Sequence, residues 1–104
     1  MSLIQALNKR RDNLLSEILS IDAEIFADKV MDDIRWERSG VIVYDGMKTP
    51  SIATVKLAAD MLSKEGITYE LYDKMVEYTM GGFYDGDHTS TMREIRHTFK
   101  QKRD

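Results

Sequence analysis

The sequence predicts a mainly α-helical single domain: one long N-terminal helix, three shorter helices, and two short extended segments that could pair as a minimal β-ribbon. Three observations predict this class. No glycine or proline occurs from Leu3 to Arg38, the 104 residues include one proline, and charged residues (32%) alternate with aliphatic ones along most of the chain. We divide the chain into a long oligomerisation helix, residues 1–39, and a helical body, residues 40–104.

The first helix is predicted to mediate self-association. A continuous helix over this span would be about 52 Å long, whereas a compact domain of this size is about 35 Å across. The same helix of another copy would cover the part that overhangs; the alternative is a break near Ser20, with both pieces folded into one bundle. The heptad spacing typical of paired helices is formed by Ile4, Leu7, Leu14, Ile18, Ile21 and Ile25, with Arg11 at the missing position.

C-terminal to this heptad repeat, the apolar residues continue in a different helical phase, at Phe26, Val30 and Ile34. Trp36 near the helix end is expected to be a partly buried anchor. Gly40 is placed where a helix needs a left-handed cap, and the β-branched run 41–44 predicts a short strand.

The next element is predicted to be a helix over residues 50–65. Asp45-Gly46 is a turn signal, after which Thr49 is predicted to be the N-cap and Pro50 the first helical residue. One apolar stripe follows at helical spacing and comprises Ile52, Val55, Ala59 and Leu62.

Two more helices are predicted in the C-terminal third. The first spans 68–80, with Thr68 as N-cap and Gly81-Gly82 as its end. The second starts at Thr91, which forms a capping box with Glu94. Their apolar stripes are Leu71, Met75, Val76 and Met80 in the first, and Met92, Ile95 and Phe99 in the second. The residues between them, 82–84, are predicted to be extended.

The phrase Tyr-Asp-Gly-x-x-Thr occurs twice, forty residues apart. It has a structural interpretation, in which each Asp-Gly turns into a helix that Thr49 or Thr91 caps. It also has a binding interpretation, because free N–H groups at two helix starts would hold a phosphorylated or nucleotide-like ligand. Nearby aspartates oppose an anion. The candidate ligand-binding residues are Tyr44, Lys48, Thr49, Ser51, Tyr84, His88, Thr89, Ser90 and Thr91.

Metal binding and nucleic-acid binding fit the sequence less well. The stretch from Asp85 begins like a calcium loop, but Ser90 replaces the glycine and Arg96 replaces the final glutamate; a weak cation site at Asp85, Asp87 and His88 is the remaining metal possibility. The helix pair 50–65 and 68–80 could form a helix-turn-helix. Its second helix is acidic, however, so nucleic-acid binding is not expected.

The remaining observations limit the function classes. There is no cysteine and no apolar run long enough for a membrane span, so a soluble cytoplasmic protein is expected. His97 is expected on the surface, and no catalytic arrangement or cofactor motif is recognisable. We therefore expect a non-catalytic, homo-oligomeric binding or regulatory protein, whose partner is itself or another protein. The alternative is a binder that sequesters the phosphorylated ligand described above; an enzyme using the weak metal site is a third class.

Overall fold

The computed structural model describes residues 2–82 and 86–102. It has an α+β fold rather than the predicted mainly α fold, with two helices and a three-stranded antiparallel sheet. The elements are α1 Leu3–Arg35, β1 Val41–Asp45, a 3-10 turn Gly46–Lys48, α2 Ile52–Ser63, β2 Ile67–Gly82 and β3 Gly86–Gln101.

The helices predicted over 68–80 and from Thr91 onward are wrong. Both segments are strands, and together they form a long antiparallel hairpin. Thr68 caps no helix, since its hydroxyl donates to the Lys100 carbonyl, and Thr91 pairs with Glu77. β-Branched and aromatic residues fit a pleated, half-buried surface better than a helix. They recur along both strands as Ile67, Thr68, Tyr69, Tyr72, Val76, Tyr78 and Thr79, then Thr89, Thr91, Ile95, Thr98 and Phe99.

The sheet has the strand order β1-β3-β2. Because side chains alternate between faces, Tyr44, His97 and Leu71, which are register partners across the three strands, share the face that packs on the helices. β1 pairs only with the last part of β3, from Arg96 to Lys100. The hairpin therefore continues as a two-stranded ribbon beyond the body of the protein.

The core lies between this sheet face and the two helices. Phe26 and Phe99 pack at a ring-centroid distance of 6.0 Å, and Tyr44 contacts both rings. The predicted phase change in α1 and the predicted stripe of α2 are confirmed, because both supply buried residues. The buried apolar residues are Ala23, Phe26, Ala27, Val30, Ile34, Val55, Ala58, Ala59, Leu62, Ile67 and Phe99.

α1 is one continuous helix with no break at Ser20. A capping box starts it: the Ser2 hydroxyl accepts from the Gln5 amide at 3.2 Å, and the Gln5 side chain accepts from the Ser2 amide at 3.1 Å. Gly40 has the predicted left-handed conformation, with a φ of 70°, but the prediction that it caps the helix is wrong, because α1 ends at Arg35 with Trp36 as its C-cap. Trp36, predicted to be partly buried, is 79% exposed.

The molecule is flat and extended. Its Cα radius of gyration is 19.3 Å, against about 13 Å for a compact domain of 100 residues, and its extents are 61 × 49 × 16 Å. Two parts protrude: the helix arm, residues 3–22, and the hairpin arm, residues 73–82 and 86–94. In the part of the chain that the structure describes, no helix has both the length and the apolar character needed to cross a membrane.

Candidate self-association surface

The helix arm carries a stripe of exposed aliphatic side chains, which we name the α1 seam. Its members are between 49 and 71% exposed, although aliphatic side chains of this size gain about 1.5–3 kcal/mol each from full burial. Leu3 and Leu15 lie on its flanks and are exposed as well. The α1 seam consists of Ile4, Leu7, Leu14, Ile18, Ile21 and Ile25.

The α1 seam is separate from the face of α1 that packs on the core. At 100° per residue, the mean direction of the seam lies about 150° around the helix from that of the buried residues of α1. The two stripes overlap in sequence, since Ile25 is exposed while its neighbour Phe26 is buried. The body of the same chain therefore cannot cover the seam without rotating a continuous helix.

Charged residues border and interrupt the α1 seam. Arg10, Glu17 and Glu24 follow one flank, and Asp22 lies on the other. Arg11 occupies a position within the seam and lies 3.9 Å from Asp12, where both side chains are exposed. Such a pair adds little stability, so Arg11 is free to reorient when another chain approaches.

The first group of predicted ligand residues surrounds the start of α2. Ser51 is the N-cap, and its hydroxyl accepts from the Thr54 amide at 3.3 Å. The prediction of Thr49 as N-cap is wrong: its hydroxyl donates to the Gly46 carbonyl at 3.1 Å. Lys48 is exposed and lines a groove of about 360 Å³ beside Ile25, at the end of the α1 seam.

Tyr44, also in the predicted set, is engaged within the body. Its hydroxyl donates to Asp33 Oδ2 at 2.6 Å, and the Lys29 ammonium lies 3.4 Å from the same oxygen. Burial raises the pKa of Tyr44, and the Asp33 carboxylate raises it further. Tyr44 therefore fixes β1 against α1 instead of facing an open site.

The second group of predicted ligand residues lies far from the first. Thr89, Ser90 and Thr91 are strand residues of the hairpin arm, the backbone of His88 also belongs to β3, and Tyr84 lies outside the described residues. Thr89 is seven residues along β3 from Arg96, which pairs with Asp45, and this spans about 23 Å. Two Thr-capped helix starts do not exist, and the repeat of a turn and a helix is wrong. Ligand binding at these residues stays a prediction without a converging site.

Across residues 2–82 and 86–102, the described side chains contain no group of three or more His, Asp or Glu close enough to hold an ion. The predicted weak site at Asp85, Asp87 and His88 falls outside those side chains.

The hairpin arm carries an apolar patch that the sequence-based reasoning missed. Val76 and Met92 are direct cross-strand partners, and with Met47 they line a groove of about 430 Å³. Alternation of apolar and polar residues with period two was the signal that could have revealed it.

An ion pair joins the two strands of the hairpin arm. Arg93 forms a bidentate contact with Asp73 at 2.6 and 2.7 Å, which lowers the pKa of Asp73 and fixes the two strands together.

His97, expected on the surface, is fully buried in the sheet. A hydrogen bond of 2.7 Å joins its Nδ1 to the Tyr69 hydroxyl, and the two rings stack. Its Nε2 is buried without a hydrogen-bond partner. Burial lowers the pKa of His97, so the neutral imidazole is the form that the fold accommodates.

Comparison with protein-family models, with curated proteins and with solved structures finds no significant match. Among the described residues, the α1 seam is the surface with the most exposed aliphatic side chains, and they repeat at heptad spacing.

Proposed function

We propose that this chain is a non-catalytic, homo-oligomeric binding or regulatory protein whose copies associate through the α1 seam. The observation that carries the proposal is the position of the seam: six aliphatic residues at heptad spacing lie exposed, about 150° from the core-facing stripe of the same helix. Spacing of this kind is typical of a helix that packs along another helix.

The energetics support association of moderate strength. Covering one half-exposed aliphatic side chain contributes on the order of 1 kcal/mol, hence at most about 12 kcal/mol for the twelve seam residues of two copies. Association entropy and side-chain ordering cost about 4–15 kcal/mol. The balance favours an oligomer that assembles with concentration, rather than one that is permanent at every dilution.

The hairpin arm is the surface we propose for a protein partner. Met75, Tyr78 and Met92 are exposed there, and flexible thioether side chains adapt to contact surfaces of different shape. Each copy in an oligomer would present one such arm, so assembly would raise the avidity for a repeated partner.

We place this activity in the cytoplasm, where a chain without cysteine needs no oxidising environment.

Light scattering after size-exclusion chromatography tests the proposal. The wild type is expected to exceed the 12.0 kDa of one chain as its concentration rises, because the seam is covered by another copy. Ile18→Glu places a charge in the middle of the seam and is expected to leave a monomer. Ser16→Glu is the matched control: it adds the same side chain on an exposed position of the helix face opposite the seam, and should leave the oligomer intact.

Circular dichroism of both variants shows whether α1 is still helical. The proposal fails if the wild type remains a monomer up to millimolar concentration, or if Ile18→Glu and Ser16→Glu have the same mass as the wild type.

A further inference from the structure

We infer that two copies pair antiparallel along the α1 seam, with Ile4 of one chain beside the partner's Ile21 and Leu7 beside the partner's Ile18. This rests on the proposed function, because it specifies how the copies meet. The charged residues around the seam favour the antiparallel arrangement over the parallel one.

The heptad positions follow from the spacing of the seam. A step of three precedes Leu7 and a step of four follows it, which assigns Ile4, Arg11, Ile18 and Ile25 to position a, and Leu7, Leu14 and Ile21 to position d. The flanking positions are then Leu3, Arg10, Glu17 and Glu24 at g, and Asn8, Leu15 and Asp22 at e.

A parallel, in-register pair would bring like charges together. Residues at position a meet their own copies in that arrangement, so the two Arg11 side chains would lie side by side within the seam. Each Glu17 at position g would also face the partner's Asp22 at position e. Like charges in these places oppose pairing.

The antiparallel pair removes these conflicts. Position a then faces position d, so Arg11 lies beside the partner's Leu14, and position g faces position g. Arg10 of each chain meets the partner's Glu17, which gives two contacts between opposite charges. Within the described part of the chain neither Arg10 nor Glu17 has an ion-pair partner, so both are available for them.

The charges and the positions of the seam residues also favour one register of the antiparallel pair. A shift by one heptad in one direction would still set Arg10 beside the partner's Glu24. It would also set Glu17 against the partner's Glu17 and Ile4 against the partner's Asp28, so it is disfavoured. The opposite shift would leave Ile18, Ile21 and Ile25 uncovered. The register centred between Asp12 and Asn13 covers every seam residue except Ile25 with an opposing layer.

Single cysteines provide a direct test, because the chain contains no cysteine of its own. In the antiparallel pair, Leu7 lies eleven residues, or about 16 Å, along the axis from the partner's Leu7, whereas a disulfide needs Cα atoms within about 7 Å. L7C and I18C are therefore expected to form no disulfide with themselves. When the two variants are mixed under reducing conditions and then oxidised in a glutathione buffer, they are expected to cross-link to each other at least tenfold faster than the background.

S16C, on the face opposite the seam, supplies that background rate. Self-cross-linking of L7C above this rate would indicate parallel pairing, and would overturn the inference while leaving self-association intact. Oligomers in which neither the mixed pair nor L7C alone cross-links would overturn it as well. A wild type that is monomeric in light scattering would remove the proposed function together with the inference.

A charge reversal gives an independent measurement. Glu17→Arg places two cations together in the antiparallel pair, so Kd is expected to rise on the order of tenfold, and adding Arg10→Glu is expected to restore it. In a parallel pair the same Glu17→Arg would face the partner's Asp22 and tighten binding. A fall in Kd on this substitution therefore overturns the antiparallel arrangement.

Discussion

Lowering the pH from 7.5 to 5 is expected to destabilise this protein through His97. The imidazole is fully buried, its Nδ1 bonds the Tyr69 hydroxyl, and its Nε2 has no hydrogen-bond partner. Protonation would place an uncompensated charge in the sheet, which is why burial lowers the pKa of this histidine. In the unfolded chain the same side chain binds a proton with a pKa of about 6.5.

Proton linkage gives the direction in which the free energy of unfolding changes with pH. Because the unfolded state binds the proton more readily, the stability is fully present above about pH 6.5 and is lost as the pH falls toward the lowered folded-state pKa. One proton changes the unfolding free energy by at most about 1.4 kcal/mol per pH unit. From pH 6.5 to 5 the loss therefore reaches at most about 2 kcal/mol, or about 8–15 °C in Tm for a domain of this size.

Thermal unfolding at a fixed protein concentration measures this loss, since association also shifts Tm. The control is the double variant Tyr69→Phe with His97→Phe, which replaces both members of the hydrogen bond and leaves no unpaired hydroxyl. His88 and the carboxylates remain in both proteins, so the comparison between the two proteins isolates the contribution of His97. If the two proteins lose the same amount of stability between pH 7.5 and 5, the assignment of the pH response to His97 is refuted.

Two further predictions concern the packing of β1 and its turn, and urea unfolding checks both. Tyr44→Phe removes the 2.6 Å hydrogen bond to Asp33 and should cost about 1–2 kcal/mol; an unchanged urea midpoint would contradict the role given to this hydroxyl. Gly46→Ala should cost about 1–3 kcal/mol, because the new Cβ would lie 2.6 Å from Ile95 Cβ. An unchanged urea midpoint for Gly46→Ala would contradict this steric account. Gly66→Ala meets no atom within 4 Å but has a φ of +78°, so about 1 kcal/mol of backbone strain is expected there.

The N-terminal two thirds of the fold could be predicted from the sequence because its signals are local. A capped span without glycine or proline specifies α1, and a β-branched run between glycines specifies β1. The hairpin could not be predicted in the same way. Leu71, Met75, Val76 and Met80 satisfy helical spacing, while the same segment also places Ile67, Tyr69 and Leu71 on one face of a strand. Pairing with β3, a contact across the chain, decides between the two.

The residues of the candidate site could also be predicted from the sequence, because their signal is local. Heptad spacing is a property of one helix, so the residues of the α1 seam could be identified without knowing the fold. Its separation from the core could not, because that depends on which side of α1 the sheet packs. The patch of Val76 and Met92 was missed since it exists only when the two strands lie side by side. His97 was misplaced for the same reason, as its burial comes from the sheet and the helices above it.

Because α1 is continuous, the position of the seam determines where the body of each chain, formed by the sheet, α2 and the end of α1, would lie in a pair. The helix passes from seam to core without a glycine or proline, and the exposed Ile25 and the buried Phe26 are adjacent. The direction in which the body projects is therefore fixed relative to the seam, about 150° away around the helix. In an antiparallel pair the two bodies lie at opposite ends and on the outer sides of the paired helices. The two bodies would then be separated along the helix axis, whereas parallel pairing would place both at the same end of the paired helices.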